Sequence, residues 1–226
     1  MNNTMTADAN PLILQQGSLE LLPSFADQFR VLMTYYRSAI MEVETKFRVL
    51  DIQQSVNQEA NPIESIKSRL KSPDSIMEKL QRRGLPLSIE SIEQNLFDIA
   101  GVRVICSFPQ DIYTLADALL KQDDVTLIEY KDYIQNPKPN GYRSLHLIIE
   151  IPIFLQTEKR LMKAEVQLRT IAMDFWASLE HKLRYKKDLE NTEHYEAISR
   201  KLVACAEMSA MLDRQMEAIR NQIEGK

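Results

Sequence analysis

The stretch DIAGVRVICSFPQDIYTLADALLKQDDVTLIEY, residues 98–130, decides the fold. Val102–Phe108 is strongly apolar, is entered through Gly101, and reads as a buried strand. Asp111–Gln122 then sets Ile112, Leu115, Ala116 and Leu119 at helical spacing, with Asp111 near the start. Val125–Tyr130 returns to strand-like residues. Strand, helix, strand is an α/β arrangement. Asp98 and Arg103 are the only charges near the first strand. A carboxylate at the mouth of a buried strand is paired, capped or bound to metal, so a structural and a metal-binding reading both stand.

The next stretch is KDYIQNPKPNGYRSLH, residues 131–146. Pro137, Pro139, Asn140 and Gly141 break regular structure and demand a tight turn. The turn presents Lys138, Asn140, Tyr142, Arg143 and His146 together. Such a set can grip a nucleotide, ring by stacking and phosphates by charge. A polar hairpin loop is the plainer alternative. Leu145–Phe154 follows as a strand apolar on both faces, which predicts a central place in a sheet. Leu155–Arg160 reads as a polar turn. Lys163–Arg169 then alternates strictly, with Lys163, Glu165, Gln167 and Arg169 on one face and Ala164, Val166 and Leu168 on the other. Alternation of this kind suits the outer face of an edge strand. Beside Asp98, Glu165 would instead be a second carboxylate for Mg²⁺ or proton transfer.

Toward the N-terminus, residues 1–20 read as a tail, and an amphipathic helix is expected from about Ser24 to Val49. Asp51–Asn61 reads as a loop. In NPIESIKSRLKSPDSIMEKLQRRG, residues 61–84, Asn61-Pro62 marks a cap or a turn. Lys67, Arg69 and Lys71 alternate with Ser68 and Leu70 as in a short or edge strand. Ser72 or Asp74 restarts a helix running to Gly84. Lys67, Arg69, Lys71, Lys79, Arg82 and Arg83 outnumber Asp74 and Glu78, which makes either an anion site or a solvated basic face. Leu87–Asn95 reads as helical. Toward the C-terminus, Thr170–Lys187 reads as a helix with Phe175, Trp176, Leu179 and Leu183, and His181 as a packing residue. The last helix, Glu193–Glu224, carries Ile198, Leu202, Cys205, Ser209, Leu212, Met216, Ile219 and Ile223 as a heptad stripe. Such a stripe calls for a partner, either the N-terminal helix or another subunit.

A chain of 226 residues, 44% hydrophobic and 27% charged, suits one large globular domain or one domain with helical extensions. A formal net charge of −4 counts against a non-specific nucleic-acid coat but not against a local basic site. Cys106 and Cys205 lie in apolar runs without a CxxC and read as reduced core residues. His146, His181 and His194 are the only histidines and have no metal-like spacing, which counts against zinc or iron. No apolar stretch approaches the roughly 20 residues that span a bilayer, and no signal-peptide layout is present, so a cytoplasmic protein is expected.

The blocks SRLKSPDSIMEKL, DIAGVRVIC, DYIQNPKPNGYRSLH and EVQLRTIAMDFWASLEHK, in this order, strongly resemble the small alarmone synthetases. These are the stand-alone synthetases of the RelA/SpoT-type (p)ppGpp synthetase family. The resemblance covers roughly Pro62 to Tyr185. It implies an α/β (α+β), nucleotidyltransferase-like fold: a mixed sheet flanked by helices, with long terminal helices. It implies transfer of the β,γ-pyrophosphoryl group of ATP to the 3′-hydroxyl of GDP or GTP, in the stringent response. On matching positions, Arg69 and Arg103 would sandwich adenine, and Lys71, Ser75 and Lys79 would contact ATP phosphates. Asp98 would bind Mg²⁺. Tyr142 would stack on guanine, with Lys138, Asn140 and His146 shaping the acceptor site. Glu165 would activate the 3′-hydroxyl or share the metal, supported by Gln167. The synthetase domain would span 61–190, after a helix and loop over 21–60 and before an oligomerisation helix over 191–226. A homotetramer through terminal helices is expected, with pppGpp or single-stranded RNA as candidate regulators. No histidine is followed by aspartate, so the hydrolase HD pair is missing and no hydrolase activity is expected. A nucleotide-adding enzyme on the same fold would usually show a Gly-Ser pair with closely spaced carboxylates, which Gly17-Ser18 lacks. A non-catalytic guanine-nucleotide or RNA-binding regulator on this fold is the second alternative.

Overall fold

The computed structural model describes residues 23–57, 61–185 and 195–225. The expected tail, the last residues of the helix predicted to Lys187 and the start of the one predicted from Glu193 lie outside them. In chain order the elements are α1 (Pro23–Asn57), β1 (Ile63–Leu70), α2 (Pro73–Arg82), α3 (Ile89–Asn95), β2 (Ala100–Cys106) and α4 (Pro109–Leu120). After them come β3 (Thr126–Asp132), β4 (Leu145–Phe154), β5 (Lys159–Thr170), α5 (Ile171–Tyr185) and α6 (Tyr195–Glu224). The strands form a five-stranded sheet in the order β1-β2-β5-β4-β3. Only β2 and β5 pair in parallel; the other pairs are antiparallel. This is the mixed sheet flanked by helices that the family resemblance implies.

Side-chain alternation gives the sheet two unlike faces. Val102, Val104, Leu147, Ile149, Val166 and Leu168 are buried together on one. Helix α1 lies against β1, β2, β4 and β5 there, and touches α4. It contributes Leu32, Tyr36, Ala39, Val43 and Phe47, all buried and three or four residues apart. Each large side chain so buried stabilises the fold by about 1.5–3 kcal/mol. The opposite face carries the polar alternates of the same strands, and the functional cleft opens on it.

The structure departs from the sequence reading in several places, the smallest at Leu155–Arg160, read as a turn, whose last two residues already belong to β5. Helix α1 runs to Asn57 instead of giving way to a loop at Asp51. No proline or glycine stops it there, and the Asp51 carboxylate accepts the Ile63 N–H at 3.2 Å, tying the helix to β1. Strand β5, which reads as an edge, is the middle of the sheet; β1 and β3 are the edges. Cys106 is buried as expected, whereas Cys205 is exposed on α6. Finally, α6 packs on α5 and α4, and the residues it buries are Ala206, Ala210 and Asp213. The C-terminal half of the heptad stripe, Leu212, Met216, Ile219 and Ile223, faces outward.

Candidate active site

Strand register assembles the site. Pairing sets Lys67, Arg103, Gln167, His146 and Lys131 in one row across the sheet. Arg69, Gly101, Glu165 and Ile148 form the next. Over these rows lies a cleft of about 430 Å³, lined among others by Arg69, Asp98, Arg103, Glu165 and Gln167. Gly101 sits in its floor between Arg69 and Glu165.

Asp98 stands just before β2. The Lys71 N–H donates to the Ile99 carbonyl at 2.9 Å, which brings the end of β1 and the start of α2 against it. Lys71 Nζ and Lys79 Nζ lie 2.8 and 2.7 Å from Asp98 Oδ2. Burial would raise this carboxyl, but the hydrogen bonds and charges of the two lysines outweigh it and hold Asp98 below the usual carboxylate value. Its other oxygen, Oδ1, is buried without a hydrogen-bond partner. Ser72 caps α2 by accepting from the Ser75 N–H, and Ser75 lies in the first turn of that helix. Lys71 and Ser75 thus flank the N-terminus of α2, whose dipole favours anions, while Lys79 reaches Asp98 from the last turn of that helix.

Glu165 belongs to a closed hydrogen-bonded ring. The Arg169 Nη2 donates to the Tyr142 hydroxyl at 2.6 Å and to Gln167 Oε1 at 3.0 Å. Gln167 Nε2 donates to Glu165 Oε2 at 3.0 Å. His146 closes the ring, with Nδ1 3.3 Å from Glu165 Oε1 and Nε2 2.8 Å from the Tyr142 hydroxyl. A proton on Nδ1 satisfies both contacts, the tyrosine then donating to Nε2. Burial raises the Glu165 carboxyl, yet His146 and Gln167 together bring it below its ordinary value, against a small upward push from Asp98.

Two residues to which the sequence reading gave no role in the site hold this arrangement. Arg169 is only 5% exposed and donates through Nη1 to Asp174 Oδ1 at 3.2 Å. Asp174, on α5, also takes Arg103 at 3.2 Å and Lys67 at 2.9 Å. One carboxylate therefore joins the cations of the cleft to the ring around Glu165. Nothing local in the sequence signals it, because its β1 and β2 partners are 107 and 71 residues away.

The turn before β4 is held by Gly141, whose φ of 90° is left-handed and suits glycine. Its N–H donates to the Lys138 carbonyl at 2.8 Å, and the Tyr142 N–H donates to Asn140 Oδ1 at 3.2 Å. Asn140 Nδ2 in turn donates to Glu180 at 3.3 Å. Lys138 Nζ lies 4.9 Å from the centre of the Tyr142 ring. Asp98, Glu165, Gln167, Arg69 and Arg103 thus share the cleft; Lys71, Lys79 and Ser75 stand on its α2 side; Tyr142 and His146 join through the ring. Lys138 and Asn140 line a neighbouring hollow against α6. Arg143 departs from the loop set: it lines a separate cavity between α4, α5 and α6.

The donor set bears on a metal ion. Asp98 Oδ1 is a buried, unpartnered carboxylate oxygen, and Glu165 lies within electrostatic reach of it. Among the described residues no cluster of three or more His, Cys, Asp or Glu could hold a metal alone. Two carboxylates completed by substrate phosphates and water are the usual Mg²⁺ site of nucleotide enzymes, and these residues fit it.

Carboxylates facing a cation-walled cleft suit a protein that works on phosphate-bearing substrates. The particular class follows from likeness to known proteins: the chain belongs to the RelA/SpoT family, whose model, described as a region found in RelA / SpoT proteins, matches residues 68–190. The GTP pyrophosphokinase YwaC of Bacillus subtilis is 44% identical over 189 residues, covering 84% of this chain and 89% of that protein. The crystal structure of small alarmone synthetase 2 from Bacillus subtilis superposes with a TM-score of 0.76 at 44% identity, over 86% of this chain and 98% of that one. Small alarmone synthetase 1 from the same organism, bound to its product pppGpp, gives 0.77 at 34% identity, over 87% and 98%.

Proposed function

We propose that this chain is a (p)ppGpp synthetase: it transfers the β,γ-pyrophosphoryl group of ATP to the 3′-hydroxyl of GDP or GTP, giving ppGpp or pppGpp and AMP. The observation that carries the reading is the ring. It ties the loop tyrosine, suited to stack a base, to Glu165, which shares a cleft with Asp98, the carboxylate that Lys71 and Lys79 pair.

The residues divide the work. Arg69 and Arg103 present guanidinium planes for adenine, a role lysine cannot fill. Lys71, Ser75 and Lys79 hold the ATP phosphates, so Lys71 and Lys79 exchange Asp98 for substrate when ATP enters. Tyr142 takes guanine, while Lys138, Asn140 and His146 shape the acceptor pocket. The acceptor 3′-oxygen attacks the β-phosphorus, the bond from the β-phosphorus to the oxygen shared with the α-phosphate breaks, and that oxygen leaves with AMP. Glu165, held below its ordinary value, is ionised at neutral pH. It orients the 3′-hydroxyl by accepting its hydrogen bond and takes the proton as the new bond forms, with Gln167 fixing its second oxygen. Asp98 and Glu165 would hold a Mg²⁺ ion, which would supply charge neutralisation on the phosphates. Such a reaction needs placement and compensating charge more than covalent help from protein.

ATP and GTP as substrates put the enzyme in the cytoplasm; among the described residues, no helix is long and apolar enough to cross a membrane. The outward stripe of α6 and the exposed Val49, Ile52 and Val56 of α1 suit a homotetramer through terminal helices. The chain lacks the HD pair, so no hydrolysis of the product is expected. Incubating the protein with ATP, Mg²⁺ and GDP or GTP, and resolving nucleotides by anion exchange, tests the function. Guanosine tetra- or pentaphosphate with matching AMP supports it, and Glu165→Gln abolishes product. A nucleotide- or RNA-binding regulator makes no product even unmodified. The same assay with added pppGpp or single-stranded RNA measures regulation.

A further inference from the structure

Helix α6 has no part in the chemistry above, yet it is where the acceptor loop rests. Gly141 lies so close to it that a Cβ built there would fall 2.6 Å from the Ala206 Cβ and 3.4 Å from the Val203 Cα. A side chain at position 141 therefore has no room. A second, small apolar cluster made of Trp176, Ala177 and Ala206 packs Tyr142 and Leu202 around it. The Trp176 indole N–H donates to the Leu202 carbonyl at 2.9 Å, joining α5 to α6 beneath the loop. Ser209 repeats the tie about two turns further along α6 by donating to the Ala172 carbonyl at 3.0 Å. Tyr142 is thus held at two ends, its hydroxyl by Arg169 and His146 and its ring side by this cluster.

We infer that Ala206 and Leu202 of α6, with Trp176 of α5, form the seat that sets the acceptor loop, and that Ala206 is a positioning residue for GDP or GTP acting through Gly141 and Tyr142. The inference rests on the reading that Tyr142 takes the acceptor base. Its physical basis is contact without slack. A backbone with φ of 90° pressed on an alanine leaves no rotamer to absorb a shift of the helix, so a change in α6 is passed to the ring of Tyr142. The donor residues Arg69 and Lys79 lie on β1 and α2, with Lys71 between these elements, and Arg103 of β2 is joined to α5 only through Asp174.

The chain carries one tryptophan, and it is Trp176, within the seat. Its emission in the unmodified protein therefore reports on the loop directly. GDP is titrated into the full chain with fluorescence and calorimetry in parallel, and a non-hydrolysable ATP analogue is titrated separately. The expected result is a saturable change in emission with GDP, at the calorimetric Kd, and none with the analogue alone. In steady-state kinetics, Ala206→Val raises the KM for GDP about tenfold or more while the KM for ATP stays within about twofold, and Ala206→Ser leaves both within about twofold. GDP binding in the calorimeter with silent emission overturns the seat and leaves the acceptor assignment standing, as does an equal rise in both KM values for Ala206→Val. Absence of GDP binding overturns the acceptor assignment itself and the seat with it. Should Ala206→Val not fold, the fluorescence of the unmodified chain decides alone.

Discussion

Tyr142 serves twice, and two substitutions separate the roles. In the proposed reading its ring stacks on guanine; its hydroxyl accepts from Arg169 at 2.6 Å and meets His146 Nε2 at 2.8 Å. Tyr142→Ala removes both. Base–aromatic stacking is worth about 1–3 kcal/mol per base, which converts to a rise of about 5- to 150-fold in the KM for GDP. Tyr142→Phe keeps the ring and deletes the hydroxyl. Arg169, 5% exposed, then has a donor cut off from water, and His146 loses the group that steers it toward Glu165. A buried polar group left unpartnered costs about 1–3 kcal/mol, or about 2–10 °C in Tm for a chain of this size. The Phe variant should therefore melt lower and turn over more slowly, with a GDP KM within about threefold of the unmodified protein. The assay is initial rates by anion exchange with GDP varied at saturating ATP, then the converse, plus thermal melts. Equal GDP KM values for the Phe and Ala variants would remove stacking from the account. A rise in the ATP KM instead, with GDP unaffected, would place Tyr142 on the wrong substrate.

Asp98→Asn strips the charge that Lys71 and Lys79 pair and leaves one carboxylate for Mg²⁺, so kcat should fall at least about 100-fold and the extra rise in Tm that Mg²⁺ gives in the presence of a non-hydrolysable ATP analogue should vanish; a variant with the same extra rise contradicts the metal assignment. Arg103→Lys keeps the charge but loses the plane, which should raise the ATP KM about two- to fivefold and spare GDP; an unchanged ATP KM counts against adenine stacking. Asp213 is buried on α6 and accepts from the Thr170 hydroxyl at 2.6 Å. Burial and the charge of Glu217 raise its carboxyl above the ordinary value despite that hydrogen bond. Its ionisation therefore costs the folded state once pH rises past the unfolded value of about 3.9. Relative to the unmodified chain, Asp213→Asn should gain Tm at pH 7 and gain little at pH 3.5, and an equal difference at both pH values refutes the shift.

How far the sequence could be read depended on how local the cause was. The DIAGVRVIC strand, the helix after it and the KPNGY turn are dictated by periodicity and by proline and glycine, and the structure has them. The four matched blocks named the family, and Arg69, Asp98, Arg103, Glu165 and Gln167 from three of them share one cleft. The alternation of Lys163, Glu165, Gln167 and Arg169 misled because a polar strand face ordinarily means water at a sheet edge. Here β5 is central, and its polar face is the floor of a cleft. The heptad stripe of α6 was visible, but small residues chose the inward face: Ala206 and Ala210 let the helix approach closely, leaving Leu212 and Met216 outside. Asp174 and Arg169 were illegible because their meaning lies in partners brought together by tertiary folding.

The central claim is tested most directly by where labelled phosphorus goes. The protein is supplied with Mg²⁺, GDP and ATP labelled at the α- or the γ-phosphorus, and products are separated. The account predicts γ-label in a new guanosine tetraphosphate, α-label wholly in AMP, and the two formed in equal amounts. Label from the α-phosphorus in the guanosine product with release of pyrophosphate, or γ-label transferred alone with formation of ADP, would contradict it.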